Sequence, residues 1–275
     1  MANTVNSTTT KASGYAPVNG LKMYFEMEGT GDPLVFIPPA FGFAGSESFP
    51  ALVESHTVLT VDLQGNGRTA DIPERPLSIE RYAEDVVGLL KYLGIAKADF
   101  FGESYGGNTA VMIAVRYPEV VGRVATYGAT FGPPQVVLNP RTTHFDQPPA
   151  AESSYIQYQR ENYKRVAPDP EYWPKIFDKL GRLQWEGFSK EDLASIQAPM
   201  LIILGDRDFV RLEHAVESFN LISNAELAVI PDAGHFTLSA EPMKVIPVVK
   251  HFLEKPEKRI PLATARTGYH PGETR

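Results

Sequence analysis

Gly102-Glu103-Ser104-Tyr105-Gly106-Gly107 sets one serine between two glycines, where an apolar run gives way to a helical pattern. Before it, Ala98-Asp99-Phe100-Phe101 reads as a short strand; after it, Tyr105 to Tyr117 reads as a helix stopped by Pro118. Passing from strand to helix so abruptly strains the residue at the apex. Glycines two positions to either side remove side chains that would collide as the backbone folds back. The pattern thus calls for a strand, a sharp turn and a helix, with the serine hydroxyl held in the open. G-x-S-x-G spacing also arises by chance, and the bland alternative is a serine in an ordinary Gly-rich turn. The flanks favour the sharp turn, because Ala110 to Val115 are apolar on every face, as in a helix buried against a sheet.

The rest of the chain supplies such a sheet. Tyr15–Val18 and Leu21–Glu28, joined by Asn19-Gly20, predict a β-hairpin with a type I′ turn. Leu34-Val35-Phe36-Ile37 and Thr57 to Val61 are continuous apolar runs, typical of strands buried on both faces. Ile79, Tyr82, Ala83, Val86, Leu89, Leu90 and Leu93 fall at helical spacing, with Gly94 as the stop. Val121 to Tyr127, Met200 to Leu204 and Leu227 to Ile230 are further strand-like runs with helical patterns between most of them. Such alternation predicts an α/β class: a doubly wound, mostly parallel sheet with helices on both faces and an antiparallel N-terminal hairpin. In these sheets reactive groups gather beyond the carboxyl ends of strands, where Ser104, Asp206, Asp208 and His235 all fall.

From about Phe131 to Gln197 the rhythm breaks. Pro133-Pro134 and Pro148-Pro149 punctuate this stretch, and it holds both tryptophans, Trp173 and Trp185. It reads as a helical lid over the strand ends, its aromatics either lining an apolar pocket or packing on one another. The expected organisation is a disordered leader over 1–14, a core formed by 15–130 and 198–254, the lid over 131–197, and an unstructured tail over 255–275 with no assigned function.

Composition narrows the chemistry. With 33 acidic against 26 basic side chains the net charge is -7, which disfavours nucleic acid and anionic membrane as partners. No stretch approaches the roughly 20 apolar residues that span a bilayer. The N-terminus lacks an apolar targeting core, so a cytoplasmic location is expected. Zero cysteines exclude thiolate nucleophiles, disulfides and Cys-based metal sites. Neither a P-loop nor a G-x-G-x-x-G fingerprint is present, and no cofactor or metal is expected.

A serine hydroxyl is a poor nucleophile at neutral pH, so Ser104 needs a base within hydrogen-bond reach and the base needs an orienting acid. Of six histidines, His56, His144, His214, His251 and His270 read as surface or packing residues. His235 differs, because Pro231-Asp232-Ala233-Gly234-His235 follows a strand as a Gly-containing loop that holds an imidazole out from the sheet edge. For the acid, Asp206 and Asp208 follow the strand Met200 to Leu204, and Asp232 lies nearer in sequence but reads as a loop cap. Glu103, one residue before the apex, points away from it and reads as structural.

These motifs together resemble the α/β-hydrolase-fold serine hydrolases, from about Gly20 to Leu253. Beside the G-x-S-x-G turn, Asp62-Leu63-Gln64-Gly65-Asn66-Gly67-Arg68-Thr69 resembles that family's D-x-x-G-x-G-x-S loop. Pro199 to Asp208 resembles its acid strand, and Ala233-Gly234-His235 its histidine loop. The resemblance implies catalytic roles for Ser104, Asp208 and His235, with Asp208 selected over Asp206 by the family's spacing after Gly205. It implies an oxyanion hole built from the Tyr105 amide and a second amide after the early strand. Here the family's His-Gly pair is replaced by Pro38-Pro39, which leaves Ala40 as the natural donor and Phe41 as the fallback. The activity implied is hydrolysis of a modest-sized ester or lactone with an apolar portion. Carbon-carbon bond hydrolysis, perhydrolysis and a small-molecule receptor on the same scaffold are the alternatives.

Overall fold

The computed structural model describes residues 10–45, 49–139 and 154–256. His144, His270, Pro148-Pro149, most of the leader and nearly all of the tail lie outside the described residues. Among the described residues, eight strands and ten α-helices follow in order: β1 (Thr10–Val18), β2 (Leu21–Gly29), β3 (Asp32–Ile37), α1 (Pro50–Val53), β4 (His56–Val61), α2 (Ile79–Leu93), β5 (Ala98–Glu103), α3 (Tyr105–Arg116) and β6 (Val121–Tyr127). Then come α4 (Pro134–Val137), α5 (Ser154–Val166), α6 (Trp173–Gly181), α7 (Lys190–Ser195), β7 (Met200–Gly205), α8 (Leu212–Leu221), β8 (Ala225–Ile230), α9 (Thr237–Ala240) and α10 (Ile246–Glu254).

The strands form one sheet in the order β1-β2-β4-β3-β5-β6-β7-β8. β1, β2 and β4 pair antiparallel, and every pair from β4-β3 to β7-β8 is parallel. Asn19 and Gly20 both have positive φ, 49° and 84°, as a type I′ turn requires. β1 reaches back to Thr10, so residues 10–14, expected in the leader, instead pair with β2, Gly14 opposite Phe25. Residues 11–13 are exposed. Main-chain pairing and the Lys11–Glu28 ion pair hold these residues, so apolar alternation could not announce them.

Successive residues of the central strands face opposite sides of the sheet. Val35, Phe100, Ile202 and Leu204 pack in one apolar layer with α2 and α3. Leu34, Phe36, Phe101, Leu201 and Ile203 pack in the other, with Leu52 of α1 and Val249 and Phe252 of α10. Both faces are covered, which is why these strands read as unbroken apolar runs. Between β6 and β7 the chain leaves the sheet for α4 to α7, the stretch expected as a lid.

The turn from β5 to α3 is closely packed. Ser104 has φ 52° and ψ -119°, a left-handed backbone that a non-glycine residue adopts at a cost of about 1–3 kcal/mol. A Cβ on Gly102 would lie 2.3 Å from the Gly106 carbonyl oxygen, and one on Gly106 would lie 2.0 Å from the Ile37 carbonyl oxygen. Helix α3 therefore enters in direct backbone contact with β5 and β3. Gly106→Ala is expected to lower the melting temperature by roughly 10 °C or more, or to abolish soluble folding, on a thermal denaturation curve. Gly94→Ala, at a helix end with open space around it, is expected to shift it by only a few degrees.

Candidate active site

β5, β7 and β8 end on the same edge of the sheet and deliver Ser104, Asp208 and His235 to one place. His235 Nδ1 lies 2.9 Å from Asp208 Oδ1, and His235 Nε2 lies 3.1 Å from Ser104 Oγ. A carboxylate only accepts, so Nδ1 carries the proton and donates it to Asp208. Nε2 is then the acceptor for the serine hydroxyl. Asp208 and His235 are buried, 5 % and 7 % exposed, which strengthens both bonds relative to water.

Each loop is anchored. Asp208 Oδ1 also accepts the Val210 N–H at 3.0 Å. Asp206 Oδ1 accepts the Ala233 N–H at 3.2 Å, so that carboxylate ties the acid loop to the histidine loop and does not face the imidazole. Asp232 extends into solvent, its side chain 95 % exposed. The Tyr127 hydroxyl donates to the Gly234 carbonyl, and the Gly234 N–H donates to Thr237 Oγ1. Gly128, at φ 61°, supplies room for the pair: a Cβ there would sit 2.9 Å from His235 Nδ1 and 3.2 Å from Asp208 Oδ2. Phe209 stacks on the imidazole with ring centroids 3.9 Å apart at 30°. No motif marks Phe209, Tyr127 or Gly128; only the folded register brings them to His235.

Across from His235 runs the Pro38–Gly42 loop. The Phe41 N–H donates to Asn66 Oδ1 at 2.8 Å, so the fallback oxyanion donor is already engaged. Pro38 and Pro39 have no N–H. Ala40, which lines the same cavity as Ser104 and Tyr105, retains its N–H without a hydrogen-bond partner among the described residues. The Tyr105 N–H stands at the first turn of α3, where no intrahelical acceptor exists and the helix dipole is positive.

Asn66 owes its place to the Asp62–Thr69 loop. Buried Asp62 accepts the N–H groups of Ala44 and Arg68, and Gly67 passes so close that a Cβ would lie 2.3 Å from Asp62 Oδ2. Desolvation pushes Asp62 up to about 6, against the lowering effect of those bonds. The loop motif is thus scaffolding that aims Asn66 at Phe41.

A cavity of about 460 Å³ opens on Ser104, within the range of small-molecule sites. Its walls include Phe41, Leu138, Ile156, Phe177, Leu180 and Phe209, and no Asp, Glu, Lys or Arg among the described residues. Residues of the 131–197 stretch therefore line it, but neither tryptophan does. Trp173 packs on Phe41, Tyr163 and Phe177, with centroids 4.9, 5.5 and 5.6 Å away. Trp185 donates to the Thr130 carbonyl at 2.9 Å and packs on Phe188. Helix α6 is latched down by Lys179, which bonds both oxygens of Asp71 at 2.8 Å and the Ile72 carbonyl at 2.7 Å.

The other described histidines stand apart from the row. His214 is buried in α8, where Nε2 accepts the Phe131 N–H at 3.0 Å; desolvation, then Arg211, lowers it to about 4, so it stays neutral. His56 Nδ1 lies 3.0 Å from Ser55 Oγ, and His251 is exposed. Among the described residues no group of three or more His, Asp or Glu side chains is placed to hold a metal ion, and no helix is long and apolar enough to cross a membrane.

Glu103 points away from the row and is 3 % exposed. Burial, with a smaller push from Asp208, raises its carboxyl to about 8, against the lowering effect of the Ser239 hydroxyl. Its folded value lies above its ordinary one, so its contribution to stability is full below about pH 4.5 and is lost as pH rises to about 8. Glu103→Gln removes that dependence. The melting temperature of the variant relative to the parent is expected to climb between pH 4.5 and 8 and level off above, in denaturation scans at fixed ionic strength.

Residues 34–247 match the model of the alpha/beta hydrolase family, to which the chain belongs, and the mostly parallel eight-stranded sheet accords with it. Among curated relatives it is similar to the human serine hydrolase BPHL, 24 % identical over 242 residues that cover 82 % of this chain and 81 % of that one. It is also similar to a 2-hydroxy-6-oxononadienedioate/2-hydroxy-6-oxononatrienedioate hydrolase of Burkholderia vietnamiensis, 28 % identical over 273 residues, covering 86 % and 93 %. Among solved structures an N-acyl homoserine lactone degrading enzyme superposes with a TM-score of 0.68 at 25 % identity, covering 88 % of this chain and 100 % of the other.

Proposed function

We propose that the protein is a serine hydrolase that cleaves carboxylic esters or lactones of modest size with an apolar portion. The observation that carries this reading is the row from Ser104 Oγ through the His235 imidazole to Asp208 Oδ1, at 3.1 and 2.9 Å. His235 Nε2 takes the serine proton as Oγ attacks the carbonyl carbon. Asp208 holds the ring in the tautomer that leaves Nε2 free and stabilises the imidazolium that forms. The tetrahedral oxyanion is received by the Ala40 and Tyr105 amides, each such donor being worth about 10²- to 10³-fold in rate. His235 then protonates the leaving alkoxide. Water, activated by the same imidazole, hydrolyses the acyl-enzyme and frees the acid.

Two observations favour a neutral ester or lactone over the substrate of the Burkholderia relative, whose name denotes a dicarboxylate. The cavity on Ser104 has no charged side chain among its described lining residues, so a carboxylate there would be desolvated without a partner. The structural relative at 25 % identity is named for degrading a lactone.

Turnover of 4-nitrophenyl esters across acyl chain length tests the proposal. Repeated turnover, abolished by Ser104→Ala, is expected; stoichiometric binding without turnover, or rates unaffected by that substitution, sinks it. Asp208→Asn is expected to lower kcat about 10⁴-fold, whereas Asp206→Asn keeps the row intact and retains most of the activity. For Asn66→Ala, which frees Phe41 and loosens the Ala40 loop, kcat is expected to fall at least tenfold with KM within about threefold of the parent.

A further inference from the structure

A second cavity, of about 600 Å³, lies on the other side of the Pro38–Gly42 loop. Pro38, Pro39 and Gly42 face it, whereas Ala40 and Phe41 face the Ser104 cavity; Phe236 borders both. The ester mechanism leaves it unused. Glu103 is part of its wall, and that carboxyl has one hydrogen-bond partner among the described residues, the Ser239 hydroxyl at 3.5 Å, the outer limit of such a bond. A polar group so deeply buried and so poorly satisfied is costly unless something in the cavity pairs with it. Helix α5 adds Gln159, Asn162 and Arg165 to the wall, the Arg165 guanidinium lying 5.6 Å over the Phe43 ring. The remaining surface is largely aromatic, with Phe36, Phe49 and Phe236.

We propose that this cavity binds a small monocarboxylate with an apolar body, Glu103 donating a hydrogen bond to the ligand through its carboxyl O–H and Arg165 supplying the opposite charge. The donor set decides the class. Two amides, a guanidinium and a protonated carboxyl all donate, and a carboxylate accepts from each. An amine meets the guanidinium's repulsion. A pure hydrocarbon leaves Glu103 unpaired.

Protonation of Glu103 at neutral pH follows from its burial. The groups whose hydrogen bonds or charges reach it are the Ser239 hydroxyl, the Asp208 carboxylate and the Tyr127 phenol from the protein side, and Arg165 stands in the cavity wall. Burial raises Tyr127 further above its ordinary range, so it stays neutral while Glu103 titrates.

The chemistry has two sources, a free acid or the acid arm of an ester bound at Ser104, and one set of measurements separates them. Calorimetric titration of the full Ser104→Ala chain uses 3-phenylpropionate, with 3-phenylpropanol and 3-phenylpropylamine as controls. The acid is expected to bind at least tenfold more tightly than either control at pH 7. Its affinity falls about tenfold by pH 9, because only protonated Glu103 donates and its carboxyl titrates at about 8. In the Ser104→Ala background, Glu103→Leu costs at least tenfold in affinity, while Glu103→Gln, which folds with a neutral isostere that still donates, keeps the affinity and loses the pH dependence.

Equal binding of acid and alcohol, preference for the amine rising with pH, or affinity untouched in both Glu103 variants overturns the proposal. With active enzyme, a lower KM for 4-nitrophenyl hydrogen glutarate than for 4-nitrophenyl butyrate, lost in Glu103→Leu, identifies an acid arm. Equal KM values with the free acid still bound identify a separate ligand. If neither ester turns over while 3-phenylpropionate still binds through Glu103, the ester reading fails and this one stands.

Discussion

The left-handed backbone of Ser104 is the constraint to which the neighbouring structure is fitted. Held at φ 52°, it survives because its N–H donates to the Tyr127 carbonyl at 2.8 Å and its own carbonyl accepts the Asn108 N–H at 3.0 Å. Glycines at 102 and 106 let three backbone segments touch where any side chain would intervene. Asn108 then binds the chain beyond β6 from both ends of its amide, donating to Thr130 Oγ1 and accepting the Thr130 N–H. The strain is thus shared between β3, β5, α3 and the exit of β6, and the same packing brings the Pro38–Gly42 loop across from the hydroxyl.

Much of this was legible in the residues because it rests on local rules. Apolar runs marked β3 to β7, helical spacing marked α2, and glycine with proline marked the turns. The polar parts of the site were less legible. Asn66 and Phe41 stand 25 positions apart, and no periodicity says that one amide engages the other. Phe209 is one aromatic among many until the acid loop folds it onto His235. Thr10 to Gly14 are joined to β2 by main-chain pairing and the Lys11–Glu28 ion pair, with no apolar alternation to mark them. In the 131–197 stretch, the choice between lining a pocket and packing together divided by residue: Phe177 lines the cavity, Trp173 packs on Phe41 and Phe177, and Trp185 packs on Phe188.

Electrostatically the site is asymmetric. On one side of Ser104 lie the buried imidazole and carboxylate with an apolar cavity; on the other lies a carboxyl that burial holds protonated. An acid kept neutral beside Ser104 adds no negative charge near the proposed oxyanion, so the Glu103 position is compatible with a developing anion at pH 7. The same carboxyl, ionised, would add to the field of Asp208, which already raises it.

The wall between the two cavities is itself a consequence of Pro38-Pro39. Two pyrrolidine rings in succession fix two φ angles, so this partition has little freedom to bend. A flexible divider would let the chambers exchange volume and blur what each accepts. A stiff one keeps the two distinct, the apolar chamber bordered by α6 and the more polar one by α5. Helix α6 borders only the Ser104 chamber, whereas α5 reaches both, through Ile156 on one side and Gln159, Asn162 and Arg165 on the other, so a change in α6 retunes one chamber without the other.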